Sequence, residues 1–344
     1  MSFTSISLTS IEWIPFNIPV HRRLETLAVI HFIVVWLIFP IACLWLPFYI
    51  FMYTPFWWSI PIYFIWFIYD WETPQKGSRV SLRYRNSIVW KLFADYFPMK
   101  LVKTCELDPE RNYIVGCHPH GILCIGSFTT LCTNGTNFRS LFPGIRSYLM
   151  TLSGQFWIPF RREIGLALGG VESSKKSLEF LLTKNGKGNA VGIVLGGAQE
   201  VYDAHPNTNV LKIAKRKGFC KYALKYGADL VPLYNFGEND VYNQYYTERG
   251  SDLRDMQMEI VKRFGFVPPI IKGRGIFNYS FGMLPHRKPI YAVMGTPIKV
   301  DKIENPSSEE IDDLHRRYIS ALNTLFHEHK QIFGLEPDAC LHIY

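Results

Sequence analysis

Charge is scarce in this sequence. Asp, Glu, Lys and Arg together make 19% of its 344 residues, where a soluble globular chain carries about 25%. The shortage is concentrated. Between Leu27 and Tyr69 none of the four occurs. Cysteine is present seven times but never as a CxxC pair. An odd number at irregular spacing argues against a disulfide framework and for the reducing, cytosolic side of a membrane. No G-x-S-x-G occurs, which speaks against a serine lipase. Neither GxxxxGK[ST] nor G-x-G-x-x-G occurs, which speaks against a nucleotide enzyme. There is no zinc-finger spacing, no basic zipper and no aromatic RNA-binding signature, so the net charge of +8 does not point to nucleic acid. A moderate basic excess suits an anionic membrane surface or a phosphate-bearing substrate instead.

The uncharged stretch is long enough for two spanning helices of about 20 residues each. Pro47 and Pro55 mark the natural place for a turn, because proline resists continuing a helix. The expectation is a hairpin, Leu27–Leu46 going in and Phe51–Tyr69 coming out. Arg22 and Arg23 precede it, and Lys76, Arg79, Arg83 and Arg85 follow it. By the positive-inside rule both ends then lie in the cytosol. A cleaved signal peptide is the competing reading, but the run is too long for one and begins too late. The chain divides into a cytosolic segment over 1–26, a membrane-embedded hairpin over 27–69 and one catalytic domain over 70–344.

After Tyr69 short apolar runs alternate with amphipathic ones. Asn112–Cys117, Ala190–Leu195, Asp229–Tyr234 and Ile290–Met294 read as buried strands, rich in branched residues and bounded by Gly, Pro or Asn. Helical spacing occupies Ser173–Thr183, Val210–Tyr226 and Ser307–Phe333, the last opening with a Ser307/Glu310 capping box. Alternating strands and helices predict an α/β fold around a sheet.

Two glycine turns at strand ends carry the chemistry. His118-Pro119-His120-Gly121 follows the first strand, and strand ends are where α/β folds put reacting groups. Histidine suits a general base near neutral pH. Pro119 restricts the backbone between the imidazoles, and Gly121 permits close approach of a substrate. Two such histidines also suit a metal, with Cys124, His205 or Glu200 as further ligands, or a purely structural pair. Gly196-Gly197-Ala198-Gln199-Glu200 follows the second strand and ends in a carboxylate. That carboxylate is a candidate to receive the imidazole N–H and set its tautomer, against the alternative of a plain loop. Lys212, Lys215, Arg216, Lys217, Lys221 and Lys225 fall on one expected helix. They read either as a face for CoA phosphates or anionic headgroups, or as a solvated face.

Taken in order, these blocks resemble the type 2 acyl-CoA:diacylglycerol acyltransferase family, which also holds monoacylglycerol and wax-alcohol acyltransferases. Tyr96-Phe97-Pro98, His118–Gly121 and the glycine-rich Lys184–Glu200 stretch are similar to family blocks. So are Arg216-Lys217-Gly218-Phe219 with Lys221, Phe236-Gly237-Glu238-Asn239, and Gly273-Arg274-Gly275. The resemblance implies a glycerolipid-acyltransferase-like mixed sheet with flanking helices behind an amino-terminal hairpin. It implies transfer of a fatty acyl group from acyl-CoA to diacylglycerol. The alternatives are a monoacylglycerol or long-chain alcohol acceptor and, more remotely, a non-catalytic lipid-binding protein. The wider superfamily pairs its histidine with an aspartate five residues on. Here Ile125 stands at that place, which directs the search for an acid to Glu200.

The expected roles are His120 as base, Glu200 as its acid partner and His118 as a shaping residue. Pro119, Gly121, Gly196, Gly197, Arg216, Lys217, Gly218, Phe219 and Lys221 are the expected substrate-binding residues. The resemblance implies no metal or redox cofactor, acyl-CoA being a co-substrate. Membrane lipids are expected partners, and a homo-oligomer is allowed. The expected location is the endoplasmic-reticulum membrane with the catalytic domain facing the cytosol, the lipid-droplet surface being also allowed.

Overall fold

The computed structural model describes residues 11–248, 250–264 and 269–344. Residues 1–10 of the expected cytosolic segment lie outside them. The central sheet has seven strands. They are β1 (Lys100–Lys103), β2 (Tyr113–His118), β3 (Arg146–Thr151), β4 (Gly170–Glu172), β5 (Asn189–Val194), β7 (Asp229–Phe236) and β10 (Tyr291–Met294). Two small ladders join β6 (Val210–Leu211) to β11 (His342–Ile343), and β8 (Asn243–Gln244) to β9 (Ile271–Lys272).

The main order is β1-β10-β7-β2-β5-β3-β4. All its pairings are parallel except β10 against β7. The four strands expected from the sequence are all present, within one to two residues at each end. All six residues of β2 are buried, as a central parallel strand covered on both faces requires. Tyr113, Val115 and Cys117 face a core shared with the Ile88–Tyr96 and Ile125–Cys132 helices. Ile114 faces the other core, under the Gly218–Tyr226 and Ser308–His329 helices. The Ser307 capping box forms as expected, a cap of the kind that contributes about 1 kcal/mol.

Three expectations need correction. The first arm of the hairpin is longer, a helix over Val20–Tyr53 with a wider π turn at Val34–Ile38. It runs through Pro47 and stops at Thr54, which is extended because the residue before proline avoids helical angles. Its first half packs on the domain, with Phe32 against Phe93 at 4.9 Å and Phe128 at 5.1 Å. This helix is long and apolar enough to cross a membrane. The return helix Ser59–Tyr69 has 11 residues, too few for a bilayer core of about 30 Å at 1.5 Å per residue.

The expected Val210–Tyr226 helix is the second correction, since only Gly218–Tyr226 is helical. Val210 and Leu211 are instead an edge strand beside His342 and Ile343. The third concerns Ser173–Thr183, which is helical over Lys175–Glu179 and then widens into a π turn over Phe180–Lys184.

Two of the sequence blocks meet to bind the first helix to the domain. Arg274 Nε donates to Tyr96 Oη at 2.8 Å, and Tyr96 donates to the Pro285 carbonyl at 2.6 Å. Arg287 stacks on the Tyr96 ring at 4.1 Å and pairs with Glu25 of the helix.

Candidate active site

Strands β5, β2 and β7 lie side by side and parallel, so their carboxyl ends share one edge. The loop after β2 carries His120, the loop after β5 carries Glu200, and the loop after β7 carries Glu238. Sites in open α/β sheets form at this edge.

His120 is half-buried. Its Nδ1 lies 3.0 Å from the Gly121 carbonyl oxygen. A carbonyl only accepts, so Nδ1 carries the proton and Nε2 keeps the lone pair. Burial holds the imidazole below its ordinary 6.5, because desolvation penalises the charged form. His120 is therefore neutral at physiological pH with Nε2 free to accept a proton.

Glu200 is where the sequence expectation changes. Its carboxylate does not receive the imidazole N–H. Oε2 accepts the backbone N–H of His120 at 2.8 Å, and Oε1 that of Lys212 at 2.9 Å. The residue positions the turn rather than the ring, and the Gly121 carbonyl sets the tautomer. Glu200 is buried, and desolvation raises its carboxyl to about 7. A Cβ at Gly196 would stand 2.0 Å from Glu200 Oε2, so the glycine makes room for this carboxylate.

Glu238 does the same work from the other side. Its two oxygens accept the N–H groups of Ile125 and Gly126, each at 2.7 Å, at the start of the Ile125–Cys132 helix. It is fully buried and raised to about 7 by desolvation. Gly121 adopts φ +60°, and a Cβ there would lie 2.6 Å from Glu238 Cγ. Both the left-handed backbone and the space require glycine. Sequence reasoning assigned Glu238 no role, although Gly237-Glu238 repeats the signature used for Glu200: a glycine turn after a buried strand, then a carboxylate.

His118 is fully buried, and its Nε2 lies 2.8 Å from Tyr318 Oη. Burial pushes it down to about 3, so it stays neutral. It sits on the β2 face covered by the Ser308–His329 helix, and Asn235 holds its carbonyl at 3.0 Å.

The expected substrate-binding residues separate. Pro119 and Gly121 lie in the His120 turn, and Gly196 and Gly197 in the Glu200 turn. Arg216 Nη1 donates to the Leu195 carbonyl at 2.8 Å and lies against Gly197, tying the third block to the second. Lys217 stands just before the Gly218–Tyr226 helix without capping it and pairs with Asp312 at 2.6 Å. Lys221 is exposed, as is Gly218. Phe219 belongs to the core, 4.8 Å from the Tyr318 ring, and is corrected from ligand contact to packing. Lys212, Lys215 and Arg216 precede the helix, so the six basic residues do not form one helical face.

Among the described residues no group of three or more His, Cys, Asp or Glu stands close enough to hold a metal ion. A cavity of about 290 Å³ lies elsewhere, lined by Arg85, Thr133, Phe138 and Arg146 near the amino end of β3.

A neutral imidazole with a free Nε2, held at the carboxyl edge of an α/β sheet by two buried carboxylates, is equipped for proton abstraction in group transfer. The family model described as diacylglycerol acyltransferase matches residues 48–344. The 2-acylglycerol O-acyltransferase 1 of Bos taurus is 46% identical over 96% of this chain and 98% of its own. The diacylglycerol O-acyltransferase 2 of Danio rerio is 45% identical over 98% and 93%, and that of Homo sapiens 43% identical over 98% and 86%. A solved 1-acyl-sn-glycerophosphate acyltransferase from Thermotoga maritima is 12% identical, with a TM-score of 0.40, over 89% of this chain and 95% of its own. The chain belongs to the diacylglycerol acyltransferase family, and it is an acyltransferase.

Proposed function

We propose that this acyltransferase moves a fatty acyl group from acyl-CoA to the free hydroxyl of diacylglycerol, with His120 as general base. The observation that carries the reading is the 3.0 Å contact between His120 Nδ1 and the Gly121 carbonyl, which assigns the ring proton to Nδ1 and leaves the Nε2 lone pair at the carboxyl edge of the sheet. Nε2 removes the hydroxyl proton as the oxygen attacks the thioester carbonyl. The carbon–sulfur bond breaks, and CoA leaves as its thiolate, which takes the proton back. The amides of His120, Ile125 and Gly126 are already held by carboxylates. Oxyanion donors are therefore sought at Gly121 and Gly197. Of the expected basic binding residues, Lys221 and Arg216, whose Nη1 also holds the Leu195 carbonyl, are left to meet CoA phosphates, Lys217 being engaged with Asp312. No metal or redox cofactor takes part.

The Val20–Tyr53 helix anchors the enzyme in the endoplasmic-reticulum membrane and delivers lipid to the site, the catalytic domain facing the cytosol. A second reading, monoacylglycerol as acceptor, is favoured by the 46% identity to a 2-acylglycerol acyltransferase.

An acceptor panel tests the choice. Membranes holding the protein are given labelled oleoyl-CoA with diacylglycerol, 2-monoacylglycerol or a long-chain alcohol. Triacylglycerol is the expected main product. Diacylglycerol formed faster from monoacylglycerol would establish the second reading, wax ester the third. No acyl product with any acceptor would overturn the enzymatic reading in favour of lipid binding alone.

The base also sets a pH dependence. It must be neutral to act, and burial lowers its pKa. Protonation of the His120 ring itself is therefore expected only below pH 6.5, at its lowered value, and a ring titration above 6.5, followed by NMR, would contradict its burial. Glu200, raised to about 7, accepts its two amides as a carboxylate, so kcat/KM is expected to begin falling as pH drops through about 7.

A further inference from the structure

Arg161 and Arg162 are neighbours in different surroundings. Arg162 is fully buried and faces a carboxylate: it meets Asp70 Oδ2 at 3.0 Å and the Asp70 and Phe67 carbonyls at 2.8 and 3.2 Å, its Nε alone lacking a hydrogen-bond partner, 3.8 Å from Glu163 Oε1. Arg161 is 1% exposed. One of its nitrogens, Nη1, reaches the Gln155 carbonyl at 2.8 Å, but Nε and Nη2 have no partner among the described residues. Its guanidinium lies 4.2 Å over the Trp36 ring, and the indole Nε1 of Trp36 is also buried without a partner. One stacked pair thus holds three buried donors and no acceptor. Burial lowers the guanidinium to about 10, so it is still charged at neutral pH. Buried donors and charges left unanswered are costly, and native structures seldom keep them without a reason.

The surroundings are built to hold this arrangement. Trp36 lies in the π turn Val34–Ile38, a local widening that recurs at functional sites. Phe160, just before Arg161, adopts φ +59°, rare for a bulky residue and costly to maintain. It is held there by Tyr63 of the return helix, which stacks on its ring at 4.3 Å and accepts its N–H at 2.7 Å.

We propose that Arg161 and Trp36 form a binding site for the oxyanion head of a long-chain lipid, either a fatty carboxylate or a phospholipid phosphate. Donors without acceptors select a group that only accepts, and the guanidinium selects an anion. The ligand carries an aliphatic tail because Trp36 sits midway along an apolar helix. Beyond it Ile38, Ile41, Leu44 and Trp45 are 51–69% exposed, a surface on which a chain can lie. The site does not depend on acyl transfer, and its occupant need not be a substrate.

The test uses the full chain in neutral detergent. Oleate, dioleoyl phosphatidic acid and, as the uncharged control, oleyl alcohol are added. Binding is read as a rise in thermal midpoint and as quenching of tryptophan fluorescence by the dibrominated analogue of each. Oleate, phosphatidic acid or both are expected to raise the midpoint, and which of them does so identifies the source. The alcohol is expected to leave it unchanged. Arg161→Met is expected to bind the anion at least about tenfold more weakly, as loss of charge-assisted bonds predicts. Its ligand-free midpoint should equal or exceed that of the parent, since an unanswered buried charge is gone. Trp36→Phe keeps the ring and removes the orphan N–H, so weaker binding is expected there too, in a variant that serves if Arg161→Met does not fold. Binding unchanged in both variants, equal binding of alcohol and carboxylate, or no binding of either anion would overturn the proposal.

Discussion

His120→Ala is expected to lower kcat by about 10²–10⁴-fold, the usual contribution of a positioned general base, while the protein remains folded and membrane-associated. Among the described residues the side chain bonds only the backbone of its own turn and is half-buried, so its loss removes little packing. The measurement is acyl transfer by the variant beside circular dichroism and acyl-CoA affinity. Near-normal turnover would sink the role. His118 provides the contrast. It is fully buried and bonded to Tyr318, so His118→Ala should cost stability through a cavity and an unpaired Tyr318 hydroxyl. Its effect on turnover should be the consequence of a displaced loop. If His118→Ala alone abolished turnover in a normally stable protein, the two roles would have to be exchanged.

Glu200→Gln is expected to lower kcat by about 10²-fold, the scale of a displacement of about 1 Å at a reacting group, with a smaller change in KM. The carboxylate accepts two backbone N–H groups, one on each oxygen. An amide offers one acceptor, so its NH₂ must face either His120 N–H or Lys212 N–H. Two donors then oppose each other in a buried place, and the turn moves. Because Glu200 does not touch the imidazole, the pKa of the His120 ring, followed by NMR, should stay where it is in the parent enzyme. This separates positioning from direct pairing: a carboxylate bonded to the ring would raise its pKa, and removing it would lower it. Unchanged turnover would remove Glu200 from the site altogether. A lowered ring pKa would restore the direct His120–Glu200 pair.

The four central strands were legible because each is a short branched run between turn residues, and a strand buried on both faces leaves that pattern wherever it occurs. The edge strands β1 and β4 and the outer strand β3 were not. Lys100–Lys103 and Arg146–Thr151 begin with charge, and Gly170–Glu172 is too short to show any period. The basic stretch after Val210 was misread for a related reason. Leu211 and Ala214 sit at helical spacing, but Leu211 is held in an edge strand by Ile343, a partner from the far end of the chain that leaves no local trace. The sequence places the turn between Pro47 and Pro55, and it falls at the far end of that interval. Helix continues through Pro47, because the loss of one amide donor does not stop a helix whose other bonds remain, and the turn comes where Thr54 meets Pro55.

The sequence by itself determined the two glycine turns, their place after buried strands, and the presence of an imidazole in one and a carboxylate in the other. Only the tertiary structure decided what those groups do to each other. Parallel pairing of β5, β2 and β7 brings residues 120, 200 and 238 to one edge, and the direction of each loop then sets which atoms meet. Glu200 reaches the backbone amide of His120 rather than its ring, Glu238 holds the helix that follows, and the tautomer of His120 is set by the carbonyl of Gly121. Spacing along a chain cannot specify this, because a hydrogen bond depends on the final orientation of two groups, and that orientation is fixed by the packing of strands far apart in sequence.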